Sequence, residues 1–179
     1  MGLSRISSIA SRVAAASRRG GKSRLTGNLA ADNPEGADER HPVGIKIGGP
    51  EQRDILDVFN TNPAEVTRKS WADIKNAPDY DAMTDEELVI HARNWEALCL
   101  YGWHPYMYNP QLKQWLGRIS VPTLVLWGEH DGVVGADYGR GYAKLIRGAE
   151  FRTIEGAGHH PELEQPARFV QAVMGFLGD

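Results

Sequence analysis

Two polar side chains stand out by type and spacing: Asp131 and His159, 28 positions apart. A carboxylate bonded to one imidazole nitrogen fixes the tautomer and leaves the other nitrogen to take a proton from a nucleophile. Each residue follows a short apolar run. Pro122 to Trp127 leads into Gly128-Glu-His-Asp131, and Glu150 to Ile154 leads into Glu155-Gly-Ala-Gly-His159-His-Pro161. Between them, Tyr138 to Arg147 has the pattern of a helix.

The order is therefore strand, acid-bearing turn, helix, strand, histidine-bearing turn, helix. That is a βαβ unit with a closing helix, the format of a parallel sheet whose functional groups lie at the carboxyl ends of its strands. Adjacent parallel strands lie about 5 Å apart, so two turns at one end can bring the carboxylate to the imidazole. Taken singly, an Asp after a strand is a common turn former and a lone His is commonly structural. The pairing of the two on Gly-bearing turns is what points to chemistry.

The stretches Leu124-Val-Leu-Trp-Gly-Glu-His-Asp131 and Gly156-Ala-Gly-His159-His-Pro-Glu-Leu-Glu164-Gln-Pro166 resemble the last two catalytic motifs of the capped α/β-hydrolase family. That pattern is an apolar strand with G-x-x-D, then G-H-x-P-x-x-E-x-P. The resemblance runs from about Pro42 to the C-terminus. It implies that Asp131 is the triad acid and His159 the triad base, with His160 and Glu129 outside those roles. Glu164 is expected to cap or anchor the histidine turn. The implied fold class is α/β: the C-terminal part of an α/β-hydrolase fold, with a helical cap and a small parallel β remnant.

Four regions follow: a leader over 1–41, an extended connection over 42–49, a helical cap over 50–117, and the C-terminal part of the core over 118–179. The leader holds Arg5, Arg12, Arg18, Arg19, Lys22 and Arg24 but no acid before residue 28, and then turns polar. Such a composition cannot build a packed core, so it is expected to be disordered or weakly helical. It resembles a transit peptide in composition but lacks a secretory apolar region. A non-native leader is the other reading, and the favoured one. Ala16 to Ser23 approaches a phosphate-binding loop, with Ala16 where the first Gly is needed. Met1-Gly2 invites a myristoylation signal, but Ile6 stands where Ser or Thr is wanted.

In the cap, Pro50 to about Gly117 reads as helical. Ile55, Leu56, Val58 and Phe59 supply an apolar face, and Pro63 suits a first helical position. Thr84-Asp-Glu-Glu87 is a capping box that starts a helix carrying Leu88, Val89, Ala92, Trp95, Leu98 and Cys99. Asn109-Pro110 restarts a short helix. The aromatic-dense run with Trp103, His104 and Tyr106 offers candidate substrate-lining residues, since small-molecule sites are mostly apolar with a few polar groups. Helix packing at the cap hinge is the competing role. The last helix, from Pro166, offers Phe169, Val170, Val173, Met174, Phe176 and Leu177 as its packing face.

Composition narrows the function classes. A net charge of −3 and a pI near 6.1 give no electrostatic case for nucleic acid. The single Cys99 excludes a disulfide framework, and no apolar run is long enough to span a bilayer. A cytoplasmic location is expected, with no cofactor. A metal site built from His130, Asp131, His159, His160 and Glu162 has the right residue types, but the strand–turn motif already accounts for three of them.

The family order is nucleophile, acid, histidine, with the nucleophile in a G-x-S-x-G elbow. No such pattern precedes Asp131. Ser4 lacks the second Gly, Ser70 lies in the cap, and Ser120 lies on the approach to a strand. The expectation is a truncated serine-type hydrolase of a small-molecule ester or related bond, inactive alone. It is also expected to fold with poor cooperativity, with Leu124, Leu126 and the last helix exposed. A non-enzymatic module is the alternative. It would bind a partner chain, or a second copy, through its cap and exposed sheet edge.

Overall fold

The computed structural model describes residues 15–19, 22–26, 44–103 and 106–178. Two strands lie in the leader, β1 (Ala15–Arg19) and β2 (Lys22–Thr26), paired antiparallel with Ala15 opposite Thr26. For these residues the expectation of disorder or weak helicity gives way to a hairpin. The rest of residues 1–41, on which the expectation of disorder or weak helicity also falls, lies outside the described residues. The phosphate-loop pattern falls partly on the hairpin and partly outside the described residues, and the myristoylation signal at Met1 to Ile6 lies wholly outside them.

Six α-helices and two further strands follow among the described residues. They are α1 (Pro63–Ser70), α2 (Asp85–Gly102), α3 (Leu112–Trp115), β3 (Leu124–Gly128), α4 (Ala136–Lys144), β4 (Glu150–Ile154), α5 (Pro161–Glu164) and α6 (Pro166–Gly178). β3 and β4 pair in parallel from Leu124–Glu150 to Gly128–Ile154. Both strands therefore end at the same rim.

Side chains alternate across a strand, and the two faces of this sheet are covered by different helices. Val125, Trp127 and Phe151 belong to a core with Val134, Tyr138 and Tyr142 of the α4 side. Leu124, Leu126 and Ile154 belong to a second core with Val173, Phe169, Phe176 and Leu177 of α6. Every residue of β3 is buried. This corrects the expectation that Leu124 and Leu126 would be exposed: they are 1% and 3% exposed, because α6 lies over them. The last helix is two-faced. Val173 is buried whereas Val170 and Met174 face outward.

The stretch before α1 also departs from expectation. Residues 51–62 form turns rather than a helix. Their polar groups find distant partners in place of a helical ladder. Leu56 N–H donates to Val133 C=O at 2.9 Å, and Val58 N–H donates to the Tyr106 hydroxyl at 2.9 Å. The Asp54 carboxylate accepts from Ile47 N–H and Gly48 N–H, both at 2.9 Å. Such tertiary bonds outweigh the modest propensity of a few apolar residues. The helix starts at Pro63, capped by Asn62. The capping box at Thr84 forms in full.

Candidate active site

Asp131 lies three residues beyond the end of β3 and His159 five beyond the end of β4. Asp131 Oδ1 accepts Val133 N–H and Val134 N–H, each at 2.9 Å. That holds the carboxylate within its own turn and aims Oδ2 across the rim, 2.9 Å from His159 Nδ1. The two side chains are only 4% and 5% exposed. An ionised carboxylate can only accept, so the proton between them sits on Nδ1, and Nε2 is left as the basic nitrogen.

The turns are laced together by backbone. Glu129 N–H donates to Ile154 C=O at 3.1 Å, and His130 N–H donates to Ala157 C=O at 2.8 Å. This close approach explains the motif glycines. A Cβ on Gly128 would stand 1.7 Å from the Gly158 carbonyl oxygen. One on Gly158 would stand 2.6 Å from the Ser70 carbonyl oxygen. No side chain fits either gap.

A third element, α1, touches both turns. The last carbonyls of a helix lack partners within it. Here Lys69 C=O accepts Gly132 N–H at 2.9 Å and Ser70 C=O accepts His159 N–H at 2.7 Å. The buried Glu164 carboxylate accepts from Gly158 N–H at 2.6 Å and from Ala72 N–H at 2.7 Å. Sequence reading marked Glu164 as an anchor of the histidine turn. It missed the α1 exit, because no local pattern announces bonds made across 92 positions.

The His160 ring meets the His159 ring edge-on, with centroids 5.2 Å apart. It also packs on Trp71 with centroids 4.6 Å apart. His130 is exposed beside Glu129. Among the described residues no three His, Cys, Asp or Glu side chains converge as metal ligands would, and no helix is long and apolar enough to cross a membrane.

The candidate substrate-lining residues form another cluster. Trp103 and Tyr106 both pack on Phe59, with ring centroids 5.4 and 5.9 Å away. Tyr106 hydroxyl accepts Val58 N–H and donates to Leu56 C=O. Burial pushes its phenol above the ordinary range. Trp103 is 65% exposed, and His104 lies outside the described residues.

The family described as alpha/beta hydrolase fold matches residues 59–166. The chain belongs to that family. Among curated relatives of this α/β-hydrolase chain is a 2-hydroxy-6-oxononadienedioate/2-hydroxy-6-oxononatrienedioate hydrolase of Klebsiella pneumoniae. It is 39% identical over 62 residues, covering 35% of this chain and 22% of that protein. Monoacylglycerol lipase ABHD6 of Homo sapiens is 30% identical over 66 residues, covering 37% of this chain and 20% of the lipase. The matches thus span only about a fifth of either relative's length. A solved membrane phospholipase A, at 20% identity, aligns with 76% of this chain and 46% of its own with a TM-score of 0.52. That likeness concerns the fold alone.

Proposed function

We propose that Asp131 and His159 are the acid and base of a serine-type hydrolytic triad acting on a small-molecule ester or related bond. The observation that carries this reading is the 2.9 Å contact between Oδ2 and Nδ1 at a shared strand rim. His159 Nε2 takes the proton of an attacking hydroxyl and later returns it to the leaving group. Asp131 holds the ring and stabilises the imidazolium between those steps. The relatives, an oxo-dienoate hydrolase and a monoacylglycerol lipase, support hydrolysis at a carbonyl carbon.

The hydroxyl is the missing partner. The 179 residues contain no G-x-S-x-G before Asp131. Ser70, the serine whose backbone touches the base, donates its own hydroxyl to Val66 C=O at 2.7 Å. The chain therefore supplies acid and base, while nucleophile and oxyanion donors come from another segment; alone it turns over little or nothing. We place it in the cytoplasm, with the residues of the Trp103–Tyr106 run bordering the substrate. A fluorophosphonate probe is expected to leave the purified chain unlabelled. Stoichiometric labelling lost in His159→Ala would overturn this.

A second reading, a non-enzymatic module that binds a partner chain, draws on the exposed apolar side chains of α2, among them Val89, Ile90 and Leu100. Co-purification with a segment bearing the elbow would favour it.

A further inference from the structure

Glu164 ends α5, five residues after the candidate base, and is 9% exposed. Its two oxygens serve two separate segments. Oε1 accepts Gly158 N–H at 2.6 Å, on the residue just before His159. Oε2 accepts Ala72 N–H at 2.7 Å and Asp73 N–H at 3.4 Å, on the chain leaving α1. Between those segments runs the bond from His159 N–H to Ser70 C=O at 2.7 Å. The carboxylate and the α1 exit thus close a ring of hydrogen bonds around the peptide that carries the imidazole.

We propose that Glu164 is a positioning residue for His159. Its two acceptor oxygens clamp the Gly158–His159 peptide to the α1 exit and so hold the ring against Asp131. The inference rests on the acid–base reading above and names a residue that acts through the base. Hydrogen bonds to an ionised acceptor are about twice as strong as neutral ones. The two oxygens also satisfy donors on both sides at once. A glutamine has one oxygen and an NH₂ that can only donate. It can therefore serve Gly158 or Ala72, but not both, and the clamp opens on one side. The ring then loses its fixed bearing on Oδ2 even where the fold persists.

The test uses proton NMR on the full chain. An imidazole Nδ1–H held by a carboxylate resonates far downfield of the amides. That signal is expected in the wild type and absent in Asp131→Asn. Glu164→Gln, with wild-type far-UV circular dichroism, is expected to lose it. Gln165→Ala, which removes a neighbouring bond from Gln165 Nε2 to Gly156 C=O, is expected to keep it. A signal that is missing in the wild type or survives Asp131→Asn defeats the acid–base reading, and this inference with it. A signal lost in Asp131→Asn but retained in Glu164→Gln, or lost equally in Gln165→Ala, overturns the positioning role alone. Should Glu164→Gln fail to fold, amide exchange in the wild type decides. Gly158 and Ala72 are expected to exchange at a common protection factor, as one opening unit. Protection factors more than tenfold apart would overturn the clamp.

Discussion

β3 and α2 are both apolar stretches, and they are held in opposite ways. All five residues of β3 are buried, with helices over both faces of its sheet. Of the eighteen residues of α2 only Gly102 is buried, and Leu88, Val89, Ile90, Trp95, Leu100 and Tyr101 are exposed. α2 is instead a helix by local means: a full capping box and three acids, Asp85, Glu86 and Glu87, in its first turn. The acids suit the positive end of the helix dipole. The strand depends on residues far away in sequence, whereas the helix adds to its capped first turn only a few such contacts, Trp95 edge-on to Phe59 at 5.7 Å and Leu98 against the core. The difference matters for the site, since both turns that carry Asp131 and His159 grow from the packed sheet.

The largest effect should come from breaking the packed side. Leu126→Ala leaves a cavity between β3 and α6, at a site 3% exposed. Such truncations cost about 2–5 kcal/mol. Urea unfolding should show the midpoint falling without a change of slope, and the downfield imidazole signal should weaken in the same samples. A loss near zero would mean that α6 does not cover the strand in solution.

The next effect tests how the N-terminal connection is fastened to that block. Tyr138 hydroxyl accepts Ile45 N–H at 2.7 Å and donates to Ile45 C=O at 2.9 Å. Tyr138→Phe leaves both buried groups unpartnered, at a cost of about 1–3 kcal/mol at neutral pH. Burial pushes the Tyr138 phenol from 10.0 up to about 12. Its folded state thus favours the protonated form, so the contribution is fully present below pH 10 and is lost as pH rises towards 12. Stability curves of wild type and Tyr138→Phe should therefore converge across that window. Tyr142, also raised by burial, keeps some alkaline sensitivity in the variant. Parallel curves would show that the phenol is not buried as described.

These contrasts also explain what could be read in advance. The strands, the capping box and the meeting of Asp131 with His159 were legible because each is written in a short stretch of residues. The family motif added which groups face the rim. Three features were not legible. The turns of 51–62 depend on Tyr106 and Val133. The burial of Leu124 and Leu126 depends on α6. The clamp at Glu164 depends on the α1 exit. In each case the deciding partner lies tens of residues away, and apolar periodicity carries no record of it.

The smallest effect is expected at the local end of the comparison. Thr84→Ala removes the hydroxyl that accepts Glu87 N–H at 3.3 Å, an N-cap worth about 1 kcal/mol. The loss should appear as reduced helical dichroism and faster amide exchange in the first turn of α2, with β3 and β4 amides unchanged. Acid sharpens the point. The Glu87 carboxyl lies below its ordinary 4.5, chiefly because it accepts the Thr84 backbone N–H and then because of the Thr84 hydroxyl. A depressed carboxyl stabilises the folded form above its ordinary value, and that support is lost as pH falls through the lower one. Thr84→Ala keeps the backbone N–H, so its acid dependence should be shallower than wild type yet still present. Glu87→Gln should abolish it. If either change instead loosened β3, α2 would be part of the packed block and the contrast drawn between them would fail.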